Sequence, residues 1–175
     1  MRKWKLPNTD RLLGLSAILV SLCTLFVFLY QTNLIRKQQY MSVYPYLEIG
    51  HNGIQTDKYN FTIENKGIGP AIIEDFSVGK IGEDLKPQDF VQFLLSELNE
   101  NEFLEIEFSN LYGGRLISEK EVIEVFKSKD SSMTTSKRLH EILGEGNMRF
   151  EIIYSSIYGE SWKITDETAN PEKLD

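Results

Sequence analysis

Cysteine is nearly missing from this 175-residue chain: Cys23 stands alone, inside an apolar run. An intramolecular disulfide is excluded, and the composition argues against a small disulfide-stapled ectodomain. Histidine is almost as scarce. His51 and His140 sit in different segments, with no cysteine or spaced histidine beside either. A zinc site needs three or four ligands, so no metal is expected. The phosphate-cradling glycine loop, the D-x-D-x-D-G calcium pattern and the G-x-S-x-G nucleophile elbow are all lacking. A Ser/His/Asp arrangement would need one of the two histidines beside Ser155, Ser156 or Ser161, and no motif puts it there. No internal repeat or low-complexity stretch is present. These absences predict a non-enzymatic protein without catalytic residues, cofactor or metal.

Positive charge is lacking in most of the chain and concentrated in the rest. Residues 1–40 hold six Lys/Arg and one Asp, a net of +5, while residues 41–175 hold thirteen Lys/Arg and twenty-five Asp/Glu, a net of −12. An acidic domain is repelled by phosphate backbones and by anionic headgroups, so nucleic acid is not an expected partner. The run Glu97 to Glu107 and the pair Glu83-Asp84 read as a solvated acidic face.

One long hydrophobic run is present. Leu12 to Tyr30 is nineteen residues without a charge. At 1.5 Å per residue it covers about 28 Å, close to the hydrocarbon thickness of a bilayer. No A-x-A follows it, and Leu22 precedes Cys23 where a lipoprotein needs a small residue, so the run reads as a retained anchor. Arg2, Lys3, Lys5 and Arg11 precede the span, and Arg36 and Lys37 follow it. The positive-inside rule then puts the N-terminus in the cytoplasm, with Trp4 and Tyr30 at the two interfaces. The lipid bilayer is the first partner. Gly14, Ala17 and Ser21 form a line of small residues that could serve homo-oligomerisation through the helix.

The expected organisation is an N-terminal cytoplasmic segment (1–11), a transmembrane helix (12–30), a helical juxtamembrane stalk (31–43), a β domain (44–165) and a flexible tail (166–175). Within the domain, Tyr44 to Ile49 alternates as a first strand ended by His51-Asn52-Gly53, and Lys58 to Glu64 reads as a second. Ala71 to Val78, Glu121 to Lys127, Met148 to Tyr158 and Ser161 to Thr165 follow as strands, with strand character starting again at Phe103. Phe90, Phe93, Leu94 and Leu98 fall on one face at helical spacing, predicting a helix over Pro87–Glu100. Thr135 or Ser136 can cap a second helix that ends at Leu143 and buries Leu139, Ile142 and Leu143. The fold class expected is mainly β, a sandwich with two short inserted helices, preceded by one N-terminal transmembrane helix.

Asn65-Lys66-Gly67-Ile68-Gly69-Pro70 forms a tight connection between two strands. Asn65 can bond backbone two residues on, Gly67 and Gly69 permit unusual angles, and Pro70 blocks a ladder bond, so these four read as a structural turn. The N-x-G-x-G-P-A pattern of Asn65 to Ala71, the strand start Pro45-Tyr46-Leu47 and the late segment Tyr154 to Trp162 (Y-S-S-x-Y-G-E-x-W) carry a resemblance. The chain resembles uncharacterised bacterial single-pass membrane proteins with an Ig-like, CARDB-type β-sandwich. That resemblance implies a fold and brings no site residues.

Tyr154, Tyr158 and Trp162 would make a peptide or glycan surface if exposed together. The function expected is a membrane-anchored, non-enzymatic binding or accessory module. It would present an acidic β-sandwich outside a bacterial cytoplasmic (inner) membrane and dock another protein, for example by strand addition. The alternative is a cytoplasm-facing effector or ligand sensor of a bacterial defence system that acts by oligomerising its transmembrane helices.

Overall fold

In a computed structural model, which describes residues 9–129, 133–144, 146–168 and 170–174, the chain divides into two units, Met1–Met41 and Ser42–Asp175. The first is helix α1 (Thr9–Met41). It runs on through the polar stretch Gln31 to Tyr40, as the lack of Pro and Gly there predicts. None of its residues is buried, and it is long and apolar enough to cross a membrane. The hydroxyls of Ser16, Ser21, Thr24 and Thr32 each donate to a carbonyl three or four residues back. Such bonds leave no side-chain hydroxyl hydrogen unsatisfied in an apolar solvent. Arg2, Lys3, Trp4 and Lys5, which carry much of the orientation argument, lie outside the described residues.

The second unit is built on two antiparallel sheets. One joins β1 (Leu47–Asn52), β2 (Asn60–Asn65), β6 (Val122–Ser128) and β4 (Ile106–Phe108), in the order β1-β2-β6-β4. The other joins β5 (Leu116–Ile117), β3 (Ala71–Lys80), β7 (Met148–Ser155), β8 (Ser161–Thr165) and β9 (Glu172–Lys173), in the order β5-β3-β7-β8-β9. The arrangement is sandwich-like, with one apolar core. Helix makes up 35% of the described residues and strand 31%, because α1 is so long. The mainly-β description therefore applies to the unit from Ser42 onward.

Alternation sets the faces. Phe150, Ile152 and Tyr154 of β7 point inward together. In β6 the facing is settled by a bulge. Phe61 pairs with Phe126 and Thr62 with Glu124, so Val125 is the extra residue. Val125 and Phe126 are consequently both buried, while Val122 stays exposed.

Among the described residues, three short helices are inserted where two are expected: α2 (Phe90–Glu97), α3 (Glu100–Leu104) and α4 (Met133–Leu143). The predicted Pro87–Glu100 helix breaks at Leu98, whose backbone is extended. Asn99 then caps a new helix. Its side chain accepts the Glu102 N–H at 2.9 Å, and the Glu102 carboxylate accepts the Asn99 N–H at 3.0 Å. This reciprocal capping box makes Phe103 helical, not the start of a strand. Helix α4 begins at Met133, so neither Thr135 nor Ser136 is its cap. Ser136 Oγ instead accepts the Tyr59 N–H at 3.2 Å and ties α4 to β2. The start of the expected Ser131–Ser136 loop lies outside the described residues. The tail carries β9, paired with β8 through Trp162–Lys173 and Lys163–Glu172.

Phe90 holds the layers together. Its ring lies 5.3 Å from Phe61 of the first sheet, and 6.0 and 6.5 Å from Phe150 and Phe76 of the second. Tilted and offset aromatic contacts of this kind add about 0.5–1.5 kcal/mol each beyond the area they bury.

Candidate functional site

The predicted turn is densely hydrogen-bonded. Asn65 is completely buried. Its Oδ1 accepts the Gly67 N–H at 3.0 Å and the Tyr46 N–H at 3.2 Å. Its Nδ2 donates to the Gly69 carbonyl at 2.8 Å and the Ile117 carbonyl at 3.0 Å. Both lone pairs and both hydrogens of the amide are used, which is all it can offer. The Lys66 and Ile68 N–H groups donate to the carbonyls of Tyr46 and Tyr44 at 2.8 and 3.0 Å. One amide thus fastens its own turn, the lead-in Tyr44–Tyr46 and strand β5.

The glycines serve close approach. Neither Gly67 nor Gly69 has positive φ. A Cβ on Gly67 would collide with the backbone of Tyr44, Pro45 and Tyr46, and one on Gly69 with the backbone of Val43. The missing side chains make the crevice in which residues 43–46 lie.

The aromatic surface that Tyr154, Tyr158 and Trp162 would make if exposed together does not form. Tyr154 and Trp162 are buried, at 0% and 2% exposure, and only Tyr158 is exposed. Tyr154 and Trp162 stack at 5.9 Å, and Tyr44 meets Trp162 edge-on at 5.2 Å. The Tyr154 hydroxyl accepts the Leu47 N–H at 3.4 Å, and Lys173 Nζ lies 5.8 Å above the indole. These rings pack the lead-in from the other side. Burial holds the Tyr154 phenol well above the ordinary tyrosine range, and Tyr44 is raised by the same cause.

The fold brings the two histidines to one residue. His51 Nδ1 lies 2.8 Å from the Tyr59 hydroxyl, and the Tyr59 and His140 rings are 5.5 Å apart. Tyr59 is buried, which raises its phenol pKa strongly. A cleft of about 340 Å³ opens beside His51, lined also by Glu48, Met148, Phe150, Asp166 and Glu167. Its carboxylates face cations: Glu48 pairs with Lys66 at 2.6 Å, and Arg149 with Glu167 at 3.0 Å and Asp166 at 3.9 Å. Among the described residues, no group of three His, Cys, Asp or Glu converges to hold a metal.

A second concavity, of about 350 Å³, lies on α2 and α3, lined by Leu95, Leu98, Asn99, Glu100, Phe103 and Leu104. Its apolar side chains are unusually open: Leu95 is 50% exposed and Leu104 67%. Phe103 continues the patch to Phe108, ring to ring at 5.3 Å. Within the stretch that reads as an acidic face, Glu100 lines this apolar groove.

Gly14, Ala17 and Ser21 all lie exposed on α1. The Ser21 hydroxyl is occupied by the Ala17 carbonyl at 2.9 Å. Comparison with protein-family profiles, with curated proteins and with solved structures finds no match to this chain.

Two outcomes are expected here. Asn65→Ala strands several buried backbone groups, each costing about 1–3 kcal/mol. It should therefore lower unfolding stability by on the order of 3 kcal/mol or more, read by denaturant titration of the chain in micelles. The raised tyrosines set an alkaline limit. Below the unfolded-state value of 10.0 the neutral phenols contribute fully. As pH rises beyond it, the unfolded chain ionises first and stability is lost. Thermal midpoints should fall as pH rises above about 10, and Tyr154→Phe should flatten that slope.

Proposed function

We propose that this chain is a membrane-anchored, non-enzymatic binding module. Helix α1 crosses a bacterial cytoplasmic membrane once, N-terminus in, and the acidic domain is presented outside as an Ig-like sandwich of the CARDB type. The observation that carries the reading is the join between the units. The apolar surface of α1 is unburied along its whole length, and only Ser42 separates its last residue, Met41, from Val43, which already packs against Gly69. The first residues of the domain after α1 are thus fastened within the domain itself.

The polar chemistry of the domain is largely engaged within it. Asn65 serves the clamp, His51 pairs with Tyr59, and the cleft carboxylates face Lys66 and Arg149. Strand addition is left with one edge of any length, the six-residue β1. The outer strands β4, β5 and β9 are three, two and two residues long. Short edges discourage pairing with another chain. In β1, the Leu47 N–H is already given to Tyr154. The α2–α3 groove is the better docking surface, since contiguous exposed apolar side chains mark interaction sites.

Reporter fusions at Asp175 test the topology, with a carbonate wash of the vesicles beside them. A periplasm-active phosphatase should work, a cytoplasm-active galactosidase should not, and the chain should stay with the lipid. A cytoplasmic C-terminus would overturn the outward reading and favour a cytoplasm-facing sensor that oligomerises along Gly14, Ala17 and Ser21. Release by carbonate would overturn the anchor itself.

A further inference from the structure

We infer that the α2–α3 groove docks a cationic, amphipathic segment of a partner protein through a bulky apolar anchor side chain. The inference rests on the binding-module reading and names the partner's chemistry. The capping box is what creates the groove. Because the chain breaks at Leu98 and restarts at Asn99, two helices meet at an angle in place of one continuous helix. Leu95 lies on one side of that break and Phe103 and Leu104 on the other, with Leu98 between them. A single continuous helix would carry no such notch.

The rim selects the occupant. Residues 97–107 contain five glutamates and no Lys or Arg. Glu97 pairs with Lys80 at 2.8 Å, and Glu102 with Arg138 at 3.6 Å. Glu100, Glu105 and Glu107 make no ion pair among the described residues, and Glu100 and Glu107 are exposed. An apolar groove lined by the Glu100 carboxylate, in a stretch with no Lys or Arg, attracts a partner that is apolar in the middle and basic at its edge. A second copy of this chain would bring glutamate against glutamate, and an anionic lipid surface would be repelled in the same way. The cavity has room for one or two large side chains, the usual scale of an anchor pocket at an interface centre.

The test uses the full chain in phosphatidylcholine nanodiscs, with empty discs as reference. The probe is an 18-residue helical peptide with leucine on one face and lysine on the other. Two control peptides replace its lysines by glutamate or its leucines by serine. Leu95→Ser with Leu104→Ser removes the floor at exposed positions, and equal thermal midpoints verify that the fold is kept. The leucine/lysine peptide should bind wild-type discs above the reference, and the double variant should bind about tenfold more weakly. Glu100→Lys with Glu107→Lys should weaken binding at about 50 mM salt and matter less at about 500 mM. The control peptides should not bind. Equal binding by wild type and the serine variant overturns the proposal, as does equal binding of the leucine/glutamate peptide. A failed peptide titration with an outward, lipid-retained C-terminus would remove this groove alone. A cytoplasmic C-terminus would remove the outward module whatever the peptide does.

Discussion

A single buried amide sets the limits on the rest of this domain. Asn65 makes two bonds through its oxygen and two through its nitrogen, each to a backbone group. A buried amide is costly unless satisfied, and a fully satisfied one specifies a unique arrangement. Removing it would take a partner from four backbone groups at once. The clamp works only because Gly67 and Gly69 let residues 43–46 approach to backbone contact. Buried polarity and missing side chains are therefore one device. It fastens the residues that immediately follow α1.

Two kinds of surface remain after the clamp and core are accounted for. One is the exposed apolar surface of α1, where the hydroxyls of Ser16, Ser21, Thr24 and Thr32 fold back on the helix. The other is the apolar groove of α2 and α3, lined by Glu100. Their chemistries are opposed. The first is satisfied by hydrocarbon, and the second is repelled by an anionic lipid surface and suited to a basic, partly apolar protein segment. The tethered binding module proposed above needs both.

Local chemistry was legible in the sequence, and long-range meetings were not. The Asn65 bond to Gly67 follows from asparagine's reach two residues on, and β7 follows from its strict alternation. The helix through Gln31–Tyr40 follows from the absence of breakers. The reason for the two turn glycines was misjudged, because close approach depends on residues 43–46, far away in sequence. The break at Leu98 did have a signal, the Asn99-Glu100-Asn101-Glu102 capping pattern, which the strong apolar period of α2 obscured. The strands β5 and β9, two residues each, are below any pattern length. Trp162 and Tyr154 could not be placed inside or outside by alternation alone. His51 and His140 meet around Tyr59 only because β1, β2 and α4 converge.

The account stands or falls on the fastening of the lead-in. Amide hydrogen exchange, followed on the full chain in nanodiscs, reads it directly at Lys66, Gly67 and Ile68. Their N–H groups bond to Tyr46, Asn65 and Tyr44. They should exchange as slowly as the core amides of β2 and β7, opening only with the whole domain. Exchange as fast as that of the exposed turn at Gly82 would contradict a clamp and leave the head joined to its helix by a loose segment.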